Sequence, residues 1–218
     1  TINGGATAYA ARVKAPKSPG YLHTPGGGTG DFAEVPDAAN LDGFGNFTMQ
    51  VNGFKISVNP PVSSATLISK DDGSDGSRSY QFALRSDGLV GMYFSTDATG
   101  AGYQYLASSI VLPYTAGTNI DLRAVRNGTS LEFFFNLGDG WTKLGDTRTV
   151  PASNVGIGTA GVEFLGYAAL TPSSISRAQI WSDSTQTTKV LDADFRDNPT
   201  TLGDTDTLAA ATGQTITI

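Results

Sequence analysis

Asp192 and Asp194 stand two residues apart in VLDADF, a spacing that puts both carboxylates on one face of a strand. Hydrolysis of a glycosidic bond needs two carboxylates facing each other across the substrate, one as acid and the other as base or nucleophile. The chain has three glutamates, Glu34, Glu132 and Glu163, and none of them opens an E-x-D-x-x-E series that would complete such a pair. The expectation is therefore solvated or turn-forming carboxylates and no catalytic residue. A Ser-His-Asp triad would have to use His23, the sole histidine, which lies in a Gly-rich segment with no G-x-S-x-G elbow nearby.

With one histidine and no cysteine, only carboxylates remain as metal ligands, and these favour hard cations. Asp71, Asp72 and Asp75 in KDDGSDGSR offer oxygens to calcium. Their spacing is not that of an EF-hand loop, since no Glu stands at the twelfth position, and an acidic hairpin loop is the alternative reading. A second acidic loop, Asp194-Phe195-Arg196-Asp197, carries its own arginine and is expected to pair internally. Sugar binding asks for an aromatic platform beside polar groups that fix hydroxyls. Tyr103, Tyr105 and Tyr114 in ATGAGYQYLASSIVLPYT, and Trp141 after the Gly138-Asp139-Gly140 turn, are the candidate ligand contacts, with edge-covering aromatics as the alternative.

The elements that must position these groups are strands. Phe47, Met49 and Val51 share one parity and Phe54, Ile56 and Val58 the other; a β-bulge at Asn52-Gly53 would return the apolar face to the core. Tyr80, Phe82 and Leu84, a Ser86-Asp87-Gly88 turn, then Val90, Met92 and Phe94 predict a hairpin. Ile120, Leu122 and Ala124, then Leu131, Phe133 and Phe135, predict another, turning at Asn127-Gly128 as a type I′ turn. Phe134 between two inward phenylalanines implies a strand covered on both faces or an exposed aromatic. Further strands are expected over residues 141–150, 162–168, 175–182 and 190–195, and in the closing GQTITI at 213–218. The best helical stretch, Thr205 to Ala211, is short. Residues 1–28, with Pro16, Pro19, Pro25 and Gly26-Gly27-Gly28, read as an N-terminal arm or linker, and 29–218 as one domain. About twelve strands in hairpins predict an all-β fold of two packed antiparallel sheets.

Composition narrows the partners. Of 218 residues, 39% are hydrophobic and 16% charged, with 27 glycines, which suits a well-packed core linked by tight turns. The formal net charge of -6 argues against nucleic acid, whose backbone is bound by clustered Lys and Arg. No apolar run is long enough to insert into a bilayer. The start, TINGGATAYAARVK, lacks an apolar signal-peptide region, and loss of an initiator Met before Thr1 is expected to give a near-complete cytoplasmic product.

The opening GDFAEVPDAANLDGFGNFTMQV, the paired RSYQFALRSDGLVGMYFSTD, then FFFNLGDGWTKLGDT and SISRAQIWSDSTQTTKVLDADFRD together resemble laminin-G-like, concanavalin-A-like jelly-roll domains. The order of these segments, ending in a G-Q-T-x-T-I strand, is similar to such domains in minor tail and other virion proteins of actinobacterial phages, over about residues 21–218. The resemblance implies a two-sheet antiparallel jelly-roll sandwich, with calcium at its rim as the one cofactor it leaves open. It implies a non-enzymatic virion protein of the minor-tail or capsid-decoration type, assembled in the host cytoplasm and displayed on the virion surface. Its partners would be other virion proteins, copies of itself and cell-surface polysaccharide. The alternative is a bacterial carbohydrate-binding module or lectin, secreted. Fold alone does not choose between them, because function resides in sites.

Overall fold

The structure is a computed structural model, and it describes residues 22–24, 33–42, 45–70, 79–95, 103–151, 163–165, 173–196 and 207–217. In chain order its elements are β1 (Leu22–Thr24), β2 (Ala33–Val35), a 3-10 turn (Ala39–Leu41), β3 (Phe47–Ile56), β4 (Ala65–Lys70), β5 (Tyr80–Leu84) and β6 (Val90–Ser95). There follow β7 (Tyr103–Ala107), β8 (Ile120–Asn127), β9 (Ser130–Asn136), β10 (Thr142–Lys143), β11 (Arg148–Thr149) and β12 (Glu163–Leu165). Last come β13 (Ser173–Ile175), β14 (Arg177–Trp181), β15 (Lys189–Asp194), β16 (Thr207–Ala209) and β17 (Thr215–Thr217). They form a two-sheet antiparallel jelly-roll sandwich. One sheet runs β1-β13-β3-β8-β9-β10, with β11 also on β9 and β14 joining β3 to β15; the other runs β16-β17-β2-β12-β4-β5-β6-β7. No helix among the described residues is long and apolar enough to cross a membrane.

Strand β3 organises the first sheet. Phe47, Met49 and Val51 are buried, and so are Phe54 and Ile56, although the two groups differ in parity. The register against β8 shifts between Val51 and Phe54, and Gly53 takes φ 59°, so the expected bulge is present. Its backbone groups are satisfied: Gly53 N–H donates to Asp121 Oδ1 at 2.9 Å, while the Ser176 N–H and hydroxyl both donate to Asn52 O. Val58, counted with Phe54 and Ile56, is instead 41% exposed, because β3 ends at Ile56 before reaching it.

The two expected hairpins are β5-β6 and β8-β9. Arg85 N–H donates to Leu89 O and Gly88 N–H to Arg85 O across the first turn. In the second, Asn127 still pairs with Ser130, so the turn residues are Gly128 and Thr129. Among the described residues only Gln186 is a non-glycine with positive φ, and Gly128 sits at φ 60°. Positive φ at the first turn residue alone is a type II′ arrangement, which corrects the expected type I′ turn at Asn127-Gly128. Within 205–211, the best helical stretch of a sequence without convincing helical periodicity, Thr207–Ala209 is strand β16, paired with β17. From the segment read as an arm, Leu22 is buried in the core and β1 pairs with β13.

Strand β4 has no alternation to read, since all six residues are buried and its register against β5 shifts between Thr66 and Ile68. It ends in Lys70, a fully buried lysine whose Nζ lies 2.7 Å from Asp37 Oδ1 and also donates to Asp42. Burial would lower its pKa, but the hydrogen bonds to Asp37 and Asp42 outweigh that and hold it above the ordinary value. Those two aspartates thus anchor the segment that enters β3.

If the bulge sets the face that β3 buries, Gly53→Ala should destabilise the protein by about 1 kcal/mol, the cost of a left-handed conformation for an L-residue. Gly53→Asn should cost less, because asparagine tolerates that region. Urea denaturation of the three proteins measures this; an alanine variant as stable as the wild type would contradict it.

Candidate functional site

On each strand that buries one parity, the other faces solvent. Leu122 and Ala124 belong to the core, so Arg123 of β8 points away from it. Met49 and Val51 of β3 and Ala178 and Ile180 of β14 also belong to the core, so Gln50 and Gln179 point to the opposite face, where both are covered, 7% and 4% exposed. The registers then line up one row across neighbouring strands: Asp192 opposite Gln179, Gln179 opposite Gln50, Gln50 opposite Arg123, Arg123 opposite Phe134, and Phe134 opposite Lys143. At the usual strand spacing the row is roughly 24 Å long. Phe134, the aromatic left open by the sequence, is half-buried on this outer face.

The middle of the row is a connected network. Arg123 Nε donates to Gln50 Oε1 at 2.8 Å. Gln50 Nε2 donates to Asn52 Oδ1 at 2.9 Å and to Gln179 Oε1 at 3.4 Å. The Trp141 ring lies over the guanidinium, 3.8 Å from its carbon to the ring centroid. With its amide oxygen facing the guanidinium, Gln186 accepts from Arg123 Nη1 at 3.1 Å and Nε at 3.2 Å.

Two loops deliver Trp141 and Gln186 onto this row. Between β9 and β10, Asn136 Oδ1 accepts from the N–H groups of Gly138 and Gly140 at 2.8 and 3.0 Å. These glycines sit at φ 120° and 102°, so the chain turns tightly back and sets Trp141 over β8. Between β14 and β15, Asp183 accepts from the N–H groups of Thr185, Thr187 and Thr188. Burial opposes its ionisation, but the Thr187 and Thr188 N–H groups and the threonine hydroxyls hold its carboxyl well below the usual range. The loop is tied to the sheet by Thr48 Oγ1, which donates to Asp183 O at 3.1 Å, and it carries Gln186 at φ 61°.

Asp192 and Asp194 do share a face, since Arg177 meets both, at 2.7 and 3.6 Å. Neither is free for acid–base work. Burial would raise the Asp192 pKa, but Arg177, bidentate at 2.7 Å, and Lys189, also at 2.7 Å, hold it below the ordinary value. The Arg196 side chain and N–H hold Asp194 low, the internal pairing expected of that loop. Glu132 is held low by Lys143 and Thr147. A general acid at neutral pH needs the opposite shift.

The four aromatic candidates do not converge. Trp141 lies on the outer face of the first sheet. Tyr105 is on β7, at the edge of the second sheet, with its ring 4.4 Å from that of Tyr93 and 4.1 Å from the Arg85 guanidinium carbon. Tyr103 is the residue of β7 opposite Ser95. Tyr114 is buried in the core cluster, and burial pushes its phenol up to about 12. His23 is the β1 residue opposite Ser174. Asp71, Asp72 and Asp75 lie outside the described residues, and among the described residues no group of three His, Cys, Asp or Glu side chains is arranged to hold a metal ion. Arg123, Gln50 and Gln179 show in the sequence only as polar residues on the parity opposite Leu122, Met49 and Ile180, with no indication of which strands are neighbours, and Gln186 lies in the loop between β14 and β15.

No protein-family model matches the chain, and no curated protein matches it. Among solved structures it is similar to the CBM40 module of the Ruminococcus gnavus IT-sialidase bound to α2,3-sialyllactose, at 16% identity and TM-score 0.48, covering 75% of this chain and 92% of that one. It is also similar to a native heptameric SAP-like pentraxin from Limulus polyphemus, at 12% identity and TM-score 0.41, covering 86% and 94%. The carbohydrate-binding module CBM66 from Bacillus subtilis aligns at 10% identity and TM-score 0.39, covering 74% and 95%. At this level of identity and superposition the likenesses carry no argument about ligand or role.

The depressed pKa of Asp192 fixes the sign of its pH dependence. Its contribution to stability is present above the ordinary aspartate value of 3.8 and is lost as pH falls through the lower folded value. Asp192→Asn should therefore cost about 2 kcal/mol at pH 7, and the gap to wild type should shrink in acid. Denaturant midpoints at pH 7 and at strongly acid pH measure it; a gap that widens in acid would refute the assignment.

Proposed function

We propose that this chain is a non-enzymatic surface adhesion module that binds carbohydrate on the outer face of its first sheet. The observation that carries this reading is the Arg123–Trp141 stack set among the amides of Gln50, Gln179 and Gln186. A partly exposed indole presents apolar surface to the C–H face of a sugar ring, and the guanidinium beside it, held in place by the amides, supplies fixed donors to ring hydroxyls. The non-catalytic part rests on Asp192, Asp194 and Glu132, each committed to a cation and held ionised.

A glycan array with the wild type and Trp141→Ala tests it. Saturable binding to at least one glycan is expected, weakened about tenfold or more in the variant. An array silent toward wild type would remove carbohydrate binding.

The ordered resemblance to laminin-G-like virion domains supports a setting for this activity: display on a phage particle, held by the N-terminal arm or by neighbouring virion proteins, with host polysaccharide as the target. Peptides of the chain are then expected in purified virions by mass spectrometry. Their absence would leave a secreted bacterial lectin as the setting.

A further inference from the structure

Arg123 differs from the other cations of the outer face in its partners. Arg177 and Lys189 share Asp192, and Lys143 meets Glu132 at 2.6 Å. Among the described residues no carboxylate lies within ion-pair distance of Arg123. Its acceptors are the neutral amides of Gln50 and Gln186, and Trp141 covers its plane. Asp121, two residues along β8, is already engaged: one oxygen accepts from Gly53 N–H and the other from Asn136 Nδ2 at 3.2 Å.

An arginine keeps its proton in a protein, so half-burying it among neutral hydrogen-bond partners, with Asp121 acting on it only through space, leaves a charge without a directly bonded counter-ion. Such a cation attracts an anion strongly, because a charge-assisted hydrogen bond is roughly twice as strong as a neutral one. Arg123 Nη2 has no acceptor among the described residues, and it is not among the buried polar atoms that lack a partner. The Nη2 end of the guanidinium is therefore not sealed from solvent. The chain's net charge of -6 does not oppose this at close range, since charges more than about 8 Å away are largely screened at physiological salt.

Resting on the carbohydrate-binding reading, we infer that the ligand is an acidic sugar, a uronic or a sialic acid, whose carboxylate accepts from Arg123 Nη2 beside the Trp141 ring. Gln50 and Gln186 fix the guanidinium by occupying Nε and Nη1, leaving the Nη2 end for the ligand. Gln179 and Asn52 hold Gln50 in turn. A neutral sugar at the same place would displace water from the cation without replacing its counter-charge.

Calorimetric titration of the full chain with two matched pairs tests this: trigalacturonate against its methyl ester, and 3′-sialyllactose against lactose. The pairs separate the two sources of the carboxylate and need no variant. The acid member of at least one pair should bind about tenfold or more tightly than its neutral counterpart, with affinity falling as salt rises. Arg123→Gln, checked for native circular dichroism, should abolish that preference. Lys55→Gln, which removes one exposed positive charge elsewhere on β3, should keep it. Equal binding of acid and neutral members would overturn the acidic-sugar assignment and leave carbohydrate binding standing. Silence toward all four also overturns it, and silence across a broad glycan array as well would take the carbohydrate-binding reading with it.

Discussion

The bulge at Asn52 and Gly53 is the constraint on which the rest of the first sheet depends. Strand β3 lies between β8 on one side and β13 with β14 on the other, and it is ten residues long, so both halves must bury side chains against the same core. An unbroken period of two would carry Phe54 and Ile56 to the solvent face. One extra residue corrects the phase, and glycine adopts the left-handed conformation this needs at the least steric cost. Asp121 and Ser176, from the two neighbouring chain segments, meet the backbone groups the bulge leaves unpaired. The correction also decides which polar residues of β3 face outward ahead of it, namely Thr48, Gln50 and Asn52.

From that follows the electrostatic character of the outer face. Its carboxylates are placed to neutralise Arg177, Lys189 and Lys143, which removes them as acids or bases and fixes them as structure. Arg123 is compensated differently, by aromatic stacking and by amide oxygens that supply partial charge without a full counter-ion. Its neighbours are held by devices that act on loops: Asn136 gathers the N–H groups of a glycine-rich turn beneath Trp141, and Asp183 gathers those of the threonine loop that carries Gln186. The opposite solution appears at Lys70, where a lysine buried completely is met by two aspartates. A compact ammonium buried this completely keeps its charge by pairing directly with carboxylates.

The alternation of Tyr80, Phe82 and Leu84, or of Ile120, Leu122 and Ala124, was legible because the large apolar side chains of each strand share the core-facing parity and smaller or polar residues stand between them. So was the β3 bulge, since the parity change falls on Asn-Gly. Strand β4 was not legible: both its faces are covered and its own bulge erases the period. The Gly128-Thr129 turn was misjudged by one residue because Asn127 remains in the ladder, and turn type depends on where pairing stops. Thr207–Ala209 is too short for either period to show and becomes a strand only by pairing with β17.

The sequence by itself determined that this is an all-β chain, with its hairpins, its inward-facing residues and its lack of any histidine–cysteine metal chemistry. These rest on local periodicity and on residue inventory, which need no partner strand. The tertiary structure alone decided that Tyr105, Tyr114 and Trp141 go to different places, and that Gln179, Gln50 and Arg123, separated by 129 and 73 residues, meet in one row. That row exists because β14, β3 and β8 are neighbours, and strand order is set by the packing of the whole sandwich rather than by any segment of it.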